Sequence, residues 1–521
     1  MKQILYLLLG CLIPFQFLTA KMYSSPERTP VDYVNPYIGN ISHLLVPTYP
    51  TVHLPNSMLR VYPERENFTG NTINGLPLIV TSHRGSSAFN LSPYQGELQK
   101  AGSIIQYGYD NEVIKPYYYS VDLDDDGMYV QYAPSHQSGI YQIDFSQTDK
   151  PAYLIFNTRN GELKTDGKSI SGYQKLGNHT QVYIYLETDQ QPLKIGTHQG
   201  AVIRTTDKST QGHNAYYILE YPKGTASVLL RYGVSFISSE QAKQNLRREI
   251  KNYNLQAVAD KGRSVWNETL GKIFVKGGTE NEKTVFYTSL YRTYERMICI
   301  SEDGRYFSAY DGQVHDDEGI PFYVDDWIWD TYRATHPLRL IIETEMESNM
   351  VNSLIRMAYQ MQPNWMPTFP EINGDSRRMN CNHGVATVLD AYNKGMRSFD
   401  LAKAYQVCKA AITEKTLAPW SSKPAGVLDQ FYKDHGYFPA LAVGEQETVP
   451  EVHSWERRQP AAVTLGTVYD EWCLGNIAQA LGDKKEADYF LKRSLNYHKI
   501  FNKETCFFHP KDSFGNFIQP F

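Results

Sequence analysis

The sequence predicts a β + α multidomain protein, with an N-terminal β-sandwich followed by a toroid-like helical domain. Three observations carry this. Between about residues 31 and 235, short runs rich in Tyr, Val and Ile alternate apolar with polar positions, punctuated by Gly, Asn-Gly and Asp-Gly turns. At Ser238 the period changes: Ser238 and Gln241 stand at capping-box spacing ahead of a polar, helix-favouring run. From Glu280 onward apolar residues recur at helical spacing, as at Leu290 and Tyr294. A length of 521 residues also exceeds one ordinary domain.

Taken in order, residues 1–20 read as an export signal, with Lys2, an apolar run from Ile4 to Leu18, then Thr19-Ala20. Leu8-Leu9-Gly10-Cys11 also matches a bacterial lipobox, in which a lipidated Cys11 attaches the chain to a membrane. Cleavage after Ala20 is the alternative. Both readings predict an exported protein, in the periplasm or at the cell surface as a lipoprotein. Residues 31–237 form the predicted sandwich, with strands such as 152–157, 180–187 and 226–236 between turns at Asn160-Gly161 and Asp166-Gly167. Residues 238–275 predict one linker helix. Residues 276–521 predict the helical domain, with helices over 280–300, 328–342, 344–361, 383–395, 399–415, 461–481 and 484–502. Their connecting loops are long and rich in Pro, Trp and acidic residues, and such loops at one rim of a helical ring are where a site is expected.

Composition excludes several classes. A net charge of −5 is far from the basic surface a nucleic-acid partner requires. Besides Cys11, the cysteines 299, 381, 408, 473 and 506 are scattered and odd in number. That excludes a disulfide scaffold and a structural zinc site, and predicts buried free thiols. The 39 tyrosines suit hydroxyl-rich ligands, but they suit β-strands equally.

The densest chemistry lies at residues 323–337. Asp325, Asp326, Asp330, Trp327, Trp329 and Arg333 fall within nine residues, in a chain with only seven tryptophans. A sugar ring lays its C–H face on an indole and takes paired hydrogen bonds from carboxylates and guanidinium. A plain helix start explains the same residues, with Asp330 in the first turn and Arg333 as its i+3 ion-pair partner. Both readings stay open on these residues alone. Glu371 is presented by a stiff, proline-flanked loop after Trp365, and Asn380, Asn382 and His383 open the next helix, as ligand contacts or as caps. Tyr469-Asp470-Glu471-Trp472-Cys473 lies inside a helix, where Trp472 reads as core and Asp470 or Glu471 could face a cavity. Asp122-x-Asp124-x-Asp126-Gly127 begins like a calcium loop, but Ala133 stands where a bidentate Glu is required, which favours a hairpin turn. His315-Asp316-Asp317-Glu318-Gly319 reads as a solvated acidic loop. There is no nucleophile elbow, P-loop or His-Glu-x-x-His pair. Glycoside chemistry is the best enzyme reading.

The ordered set Val34-Asn35-Pro36-Tyr37-Ile38-Gly39, Asp303-Gly304-Arg305-Tyr306, Trp329-Asp330-Thr331-Tyr332-Arg333, Asp390-Ala391-Tyr392-x-Lys394-Gly395 and Tyr469-Asp470-Glu471-Trp472-Cys473 resembles glycoside hydrolase family 92, the exported bacterial α-mannosidases. The resemblance implies a β-sandwich packed on an (α/α)6 barrel and exo-acting, inverting, calcium-dependent cleavage of α-mannosides in mannose-containing glycans. The calcium would hold vicinal mannose hydroxyls. The acid and base would stand roughly 6.5–9.5 Å apart. It casts Asp330 and Arg333 as partners of the terminal sugar, Trp329 as a pocket wall, and Glu371 and His383 as rim residues. The family's acid lies in a Glu-Gly-Asn motif and its base in a Gly-Asn-Asp-Asp motif, and neither occurs here, so acid, base and metal ligands stay unassigned. The sequence stops at Gln519-Pro520-Phe521 with about seven or eight predicted helices, which predicts an incomplete barrel. A non-catalytic glycan-binding protein is the alternative. The sandwich holds no Trp to offer the leaving-group sugar, and Ser82-His83-Arg84-Gly85 matches the family's His-containing loop poorly.

Overall fold

The structure, a computed structural model, describes residues 28–520 except 41–47, 66–69, 82–86, 124–126, 148 and 178. The export signal, Cys11, residues 82–85, Asp124 and Asp126 lie outside the described residues. The N-terminal part folds as two antiparallel sheets, one of ten strands and one of six. Strand Thr180–Thr188 alternates buried and part-exposed positions along most of its length, as its sequence predicts. Asp166-Gly167 closes the hairpin pairing Thr165 with Ile170. There Gly167 takes φ +87°, and the Asp166 side chain accepts from the backbone of Lys168 and Ser169. Leu123 pairs with Met128, so the strands on either side of the calcium-like sequence are antiparallel neighbours.

The core explains the tyrosines. Tyr132, Tyr141, Tyr217, Tyr221 and Tyr232 are fully buried. Their hydroxyls find partners inside: Tyr141 Oη donates to Pro77 O at 2.6 Å and Tyr232 Oη to Leu78 O at 2.7 Å. Tyrosine fills this sandwich because it bonds across the facing sheets, a use the composition could not separate from ligand binding.

The predicted linker is two helices, α1 (Ser239–Glu249) and α2 (Leu255–Leu270), because Asn254 caps a second start by accepting from Ala257 N. The Ser238 cap is as predicted, with its side chain accepting from Gln241 N. Both helices lie on the outer face of the large sheet. Gly233 permits this contact, since a Cβ there would meet Ala242 O at 2.1 Å. Trp266 of α2 is wholly buried and donates to His53 O at 2.7 Å.

The helical domain follows as α3 (Glu280–Thr293), α4 (Ile328–Thr331), α5 (Thr335–Ile342), α6 (Thr344–Gln360), α7 (Gly384–Asn393), α8 (Leu401–Thr413), α9 (Val427–His435), α10 (Pro460–Ala480) and α11 (Lys484–Arg493). Helix α5 packs on both α6 and α7, and α6 on α8, the pattern of helix pairs set round an axis. Several bounds differ from expectation. The 280–300 helix stops at Thr293, and Ile298–Cys299 then pairs as a strand with Tyr323–Val324. The 328–342 helix is split into α4 and α5 because Pro337 cannot continue a helix running up from Arg333. The 484–502 helix ends at Arg493 and tightens into a 3-10 turn over Ser494–Ile500. Helix α9 is additional, closed by Gly436 at φ +79°. Trp472 is half-exposed rather than core, and of the five free thiols among the described residues only Cys408 and Cys473 are buried.

One continuous apolar cluster runs from the sandwich (Tyr132, Leu154, Phe156) into the helical domain (Phe322, Met350, Leu354, Val388). The junction is therefore packed core, which fixes the geometry of residues presented at it.

Candidate active site

The junction is built around residues 325–333. Asp325 has a left-handed backbone, φ +68°, that swings the chain from strand Tyr323–Val324 toward α4. Its buried carboxylate accepts from Arg60 of the sandwich and from Arg296. Burial pulls the Arg60 pKa down, and Asp325 more than offsets this, so the guanidinium stays charged. Arg296 also lies over the Trp327 ring at 4.2 Å. Beside it, Glu295 is buried yet held down to about 2, because Arg292, Arg296 and Arg60 outweigh its desolvation.

Asp326 is equally committed. Its Oδ2 meets His336 Nε2 at 2.8 Å, and His336 Nδ1 meets Glu347 Oε1 at 2.7 Å. Burial alone would drive the proton off His336. Glu347 and Asp326 outweigh it and push its pKa up to about 10, so a buried imidazolium donates to both carboxylates. Asp326 Oδ1 accepts from Thr331 Oγ1 at 2.9 Å, which ties this ion cluster to the end of α4. The Asp326 N–H donates to Pro370 O at 2.9 Å and fastens the Glu371 loop alongside.

Four residues on, the picture reverses. The Asp330 carboxylate is exposed and makes no hydrogen bond or ion pair among the described residues. Partial burial raises its pKa, opposed by Arg333 and assisted by Asp326. The expected Asp330–Arg333 ion pair does not form. Instead the Arg333 guanidinium lies 5.5 Å from the ring centres of both Trp329 and Tyr332, with Nε donating to Tyr332 Oη at 3.3 Å. Trp329 Nε1 donates to Asn380 Oδ1 at 3.5 Å, and Asn380 Nδ2 donates to Gln459 Oε1 at 2.7 Å. An unpaired carboxylate and an anchored indole on one short helix thus stand beside a guanidinium, just past its end, that is stacked on two rings. That set can hold hydroxyls on one side and a sugar face on the other.

His383 stands at the N-terminus of α7, buried behind Tyr332 at 4.3 Å between ring centres. Its Nδ1 meets Asp470 Oδ1 at 2.8 Å, and Asp470 also accepts from Asn382 N at 2.7 Å. Glu371 lies in the hairpin of Pro370–Glu371 with Gly374–Asp375, ion-paired to Arg378 at 3.3 Å. Burial raises its pKa against the pull of Arg378. Tyr310 Oη donates to Glu371 O at 3.3 Å. Arg333 and His383 therefore meet at Tyr332, Arg333 also lies over Trp329, and Glu371 stands apart from them, with Arg378, on the loop fastened by the 326–370 backbone bond. Asn380, singled out with His383 in the sequence, belongs to the same surroundings, as do Arg296, Tyr310 and Arg378, which carried no sequence signal beyond lying near these motifs. A cavity of about 660 Å³ opens beside Gln459, lined by Glu445, Glu447, His453, Glu456 and Arg457.

Two family models match the chain: the glycosyl hydrolase family 92 N-terminal domain over residues 33–235 and the family 92 catalytic domain over residues 241–521. Among solved structures, a family 92 inverting mannosidase of Bacteroides thetaiotaomicron superposes with a TM-score of 0.83 at 25% identity. It covers 96% of this chain and 68% of that one. A second α-mannosidase of that organism, in complex with mannoimidazole, is alike in fold, with a TM-score of 0.81 at 22% identity over 95% of this chain and 67% of that one. A protein of Arthroderma benhamiae described as an uncharacterized secreted glycosidase is 22% identical over 98% of this chain and 67% of its own length. No helix among the described residues is long and apolar enough to cross a membrane.

Proposed function

The chain belongs to glycoside hydrolase family 92, and on that premise we propose that it acts on α-mannosides in glycans, from the chain end and with inversion. The observation that carries the reading is the unpaired Asp330 carboxylate beside Trp329 and Arg333, in a stretch whose other two aspartates are fully used. Asp330 would accept from two sugar hydroxyls and Arg333 would donate to a third oxygen. Trp329 would lie under the C–H face, and Glu371 would close the rim. No residue present is cast as acid or base, because forcing Asp330 into either role would contradict the family's pattern.

The relatives that support this are a mannosidase described as inverting and one bound to mannoimidazole. Export rests on the residue 1–20 signal and on the relative described as secreted, with a periplasmic or Cys11-anchored form as the proposed location. Calcium rests on the family resemblance alone. Among the described residues no three His, Cys, Asp or Glu side chains converge to hold an ion, so no step is routed through it.

Calorimetric titration of the 521-residue chain with mannose tests the reading. Millimolar or tighter binding is expected, and no binding by the folded chain would overturn it. Incubation with α-mannobiosides tests the rival, a glycan-binding protein without hydrolysis. Release of mannose as the β-anomer would eliminate the rival. Binding or release unchanged by EDTA would end the calcium proposal.

A further inference from the structure

We propose that Arg378, Trp420 and Trp455 form a second sugar platform that holds the next sugars of a mannoside chain beyond the terminal residue. It rests on the reading of the Trp329–Asp330 site as a mannose pocket and extends it outward. Trp455 is 75% exposed, which is unusual for the largest apolar side chain. Its ring stands against Trp420 at 6.0 Å and 62°, so two indoles meet at an angle as a corner. The Arg378 guanidinium lies 5.8 Å from the Trp420 ring centre while pairing with Glu371 at 3.3 Å. An unbroken path of contacts therefore leads from the Glu371 rim to Trp455.

The platform is braced from two sides. His453 Nδ1 accepts from the backbone of Trp455 and Glu456, at 3.3 Å each, and its ring faces Trp420 at 5.4 Å. The same segment reaches the mannose pocket through Glu456, Gln459 and Asn380, whose Oδ1 accepts from Trp329 Nε1. Its backbone is also strained. Across the segments that meet here, Arg377, Met379, Cys381, Trp420, Arg457 and Gln459 have left-handed φ values of +46° to +66°, six of the fourteen described non-glycine residues with positive φ. For a residue as bulky as Trp420 this conformation is costly, and such strain persists where surrounding structure over-determines it, commonly at ligand sites.

The chemistry selects the occupant. Arg378, paired with Glu371, lies beside Trp420, and Glu456 and Arg457 line the neighbouring cavity, so carboxylates balance guanidinium groups and the surface favours neither a strongly charged nor a wholly apolar partner. It suits a neutral, hydroxyl-rich chain with stackable faces, in continuity with the sugar held by Asp330.

Calorimetry with mannose and with a linear α-mannotriose tests this on the full chain, with Trp455→Ala, Trp455→Tyr and, as an exposed control just past the end of α2, Phe274→Ala. The unaltered chain and the control should bind the trisaccharide roughly tenfold more tightly than mannose, the scale of one good aromatic contact. Trp455→Ala should reduce that ratio to about one, with an unchanged circular dichroism spectrum, and Trp455→Tyr should restore most of it. A ratio that survives Trp455→Ala, or no trisaccharide preference in the unaltered chain, overturns the platform alone. Failure to bind mannose overturns the pocket and the platform together.

Discussion

Two halves of one six-residue stretch behave as opposites. Asp325 and Asp326 are buried and paired to Arg60, Arg296 and His336, whereas Asp330 is open and unpaired. The first pair clamps sandwich, loop and helices together; the third residue is open to solvent. Three aspartates that look alike in the sequence thus divide by burial into two that hold the structure and one that is available to a ligand. The difference teaches that a dense motif is not a functional site in all its members. The buried half makes the open half precise, since Asp326 holds Thr331 at the far end of α4.

The largest expected effect breaks the buried half. Asp326→Ala should cost about 3–5 kcal/mol, because it leaves a buried imidazolium with half its compensation. Urea denaturation measures this, and a loss below about 1 kcal/mol would mean the cluster is not structural. The same cluster predicts a pH dependence. His336 is raised from its ordinary 6.5 to about 10, so its contribution is fully present below pH 6.5 and is lost as pH rises through 10. His53 has the opposite sign. Burial lowers it to about 4, so stability falls as pH drops from 6.5 toward 4. Urea midpoints between pH 4 and 10 should peak near pH 6.5, and His336→Gln should flatten the alkaline limb. An equal alkaline slope in that variant would remove His336 from the account.

The open half should respond in binding rather than stability. Asp330→Ala should leave the unfolding free energy within about 0.5 kcal/mol, as for surface positions. It should weaken mannose binding by about 1.5–3 kcal/mol, the value of a hydrogen bond to a charged group. The reverse outcome, unfolding without loss of affinity, would erase the contrast between the two halves. The smallest effect is expected from Arg333→Lys. It keeps the charge but loses the planar stack on Trp329 and Tyr332, so affinity should drop by about 0.5–1 kcal/mol in the same titration.

Much of the fold was legible because its signals are local. Strand alternation, the Ser238 cap and the long periodic helices α6 and α10 need only neighbouring residues. The misses are equally physical. Pro337 split a helix that hydrophobic spacing alone ran through, and α9 was hidden because nine residues give too little periodicity to stand out. Asp470 was singled out in its helix without its partner, His383, because the two are brought together only by α7 meeting α10.

The sequence by itself determined the two-part architecture, the family, and which short segment concentrates sugar-binding chemistry. Those depend on periodicity and on ordered motifs, which are properties of the chain read along its length. Only the tertiary structure decided which aspartate is free, that Arg333 stacks rather than pairs with Asp330, and that Glu371, Arg378 and Trp420 adjoin one another. Each of those turns on desolvation and on partners contributed by distant segments, and burial is a property that no position in a sequence possesses until the chain has folded.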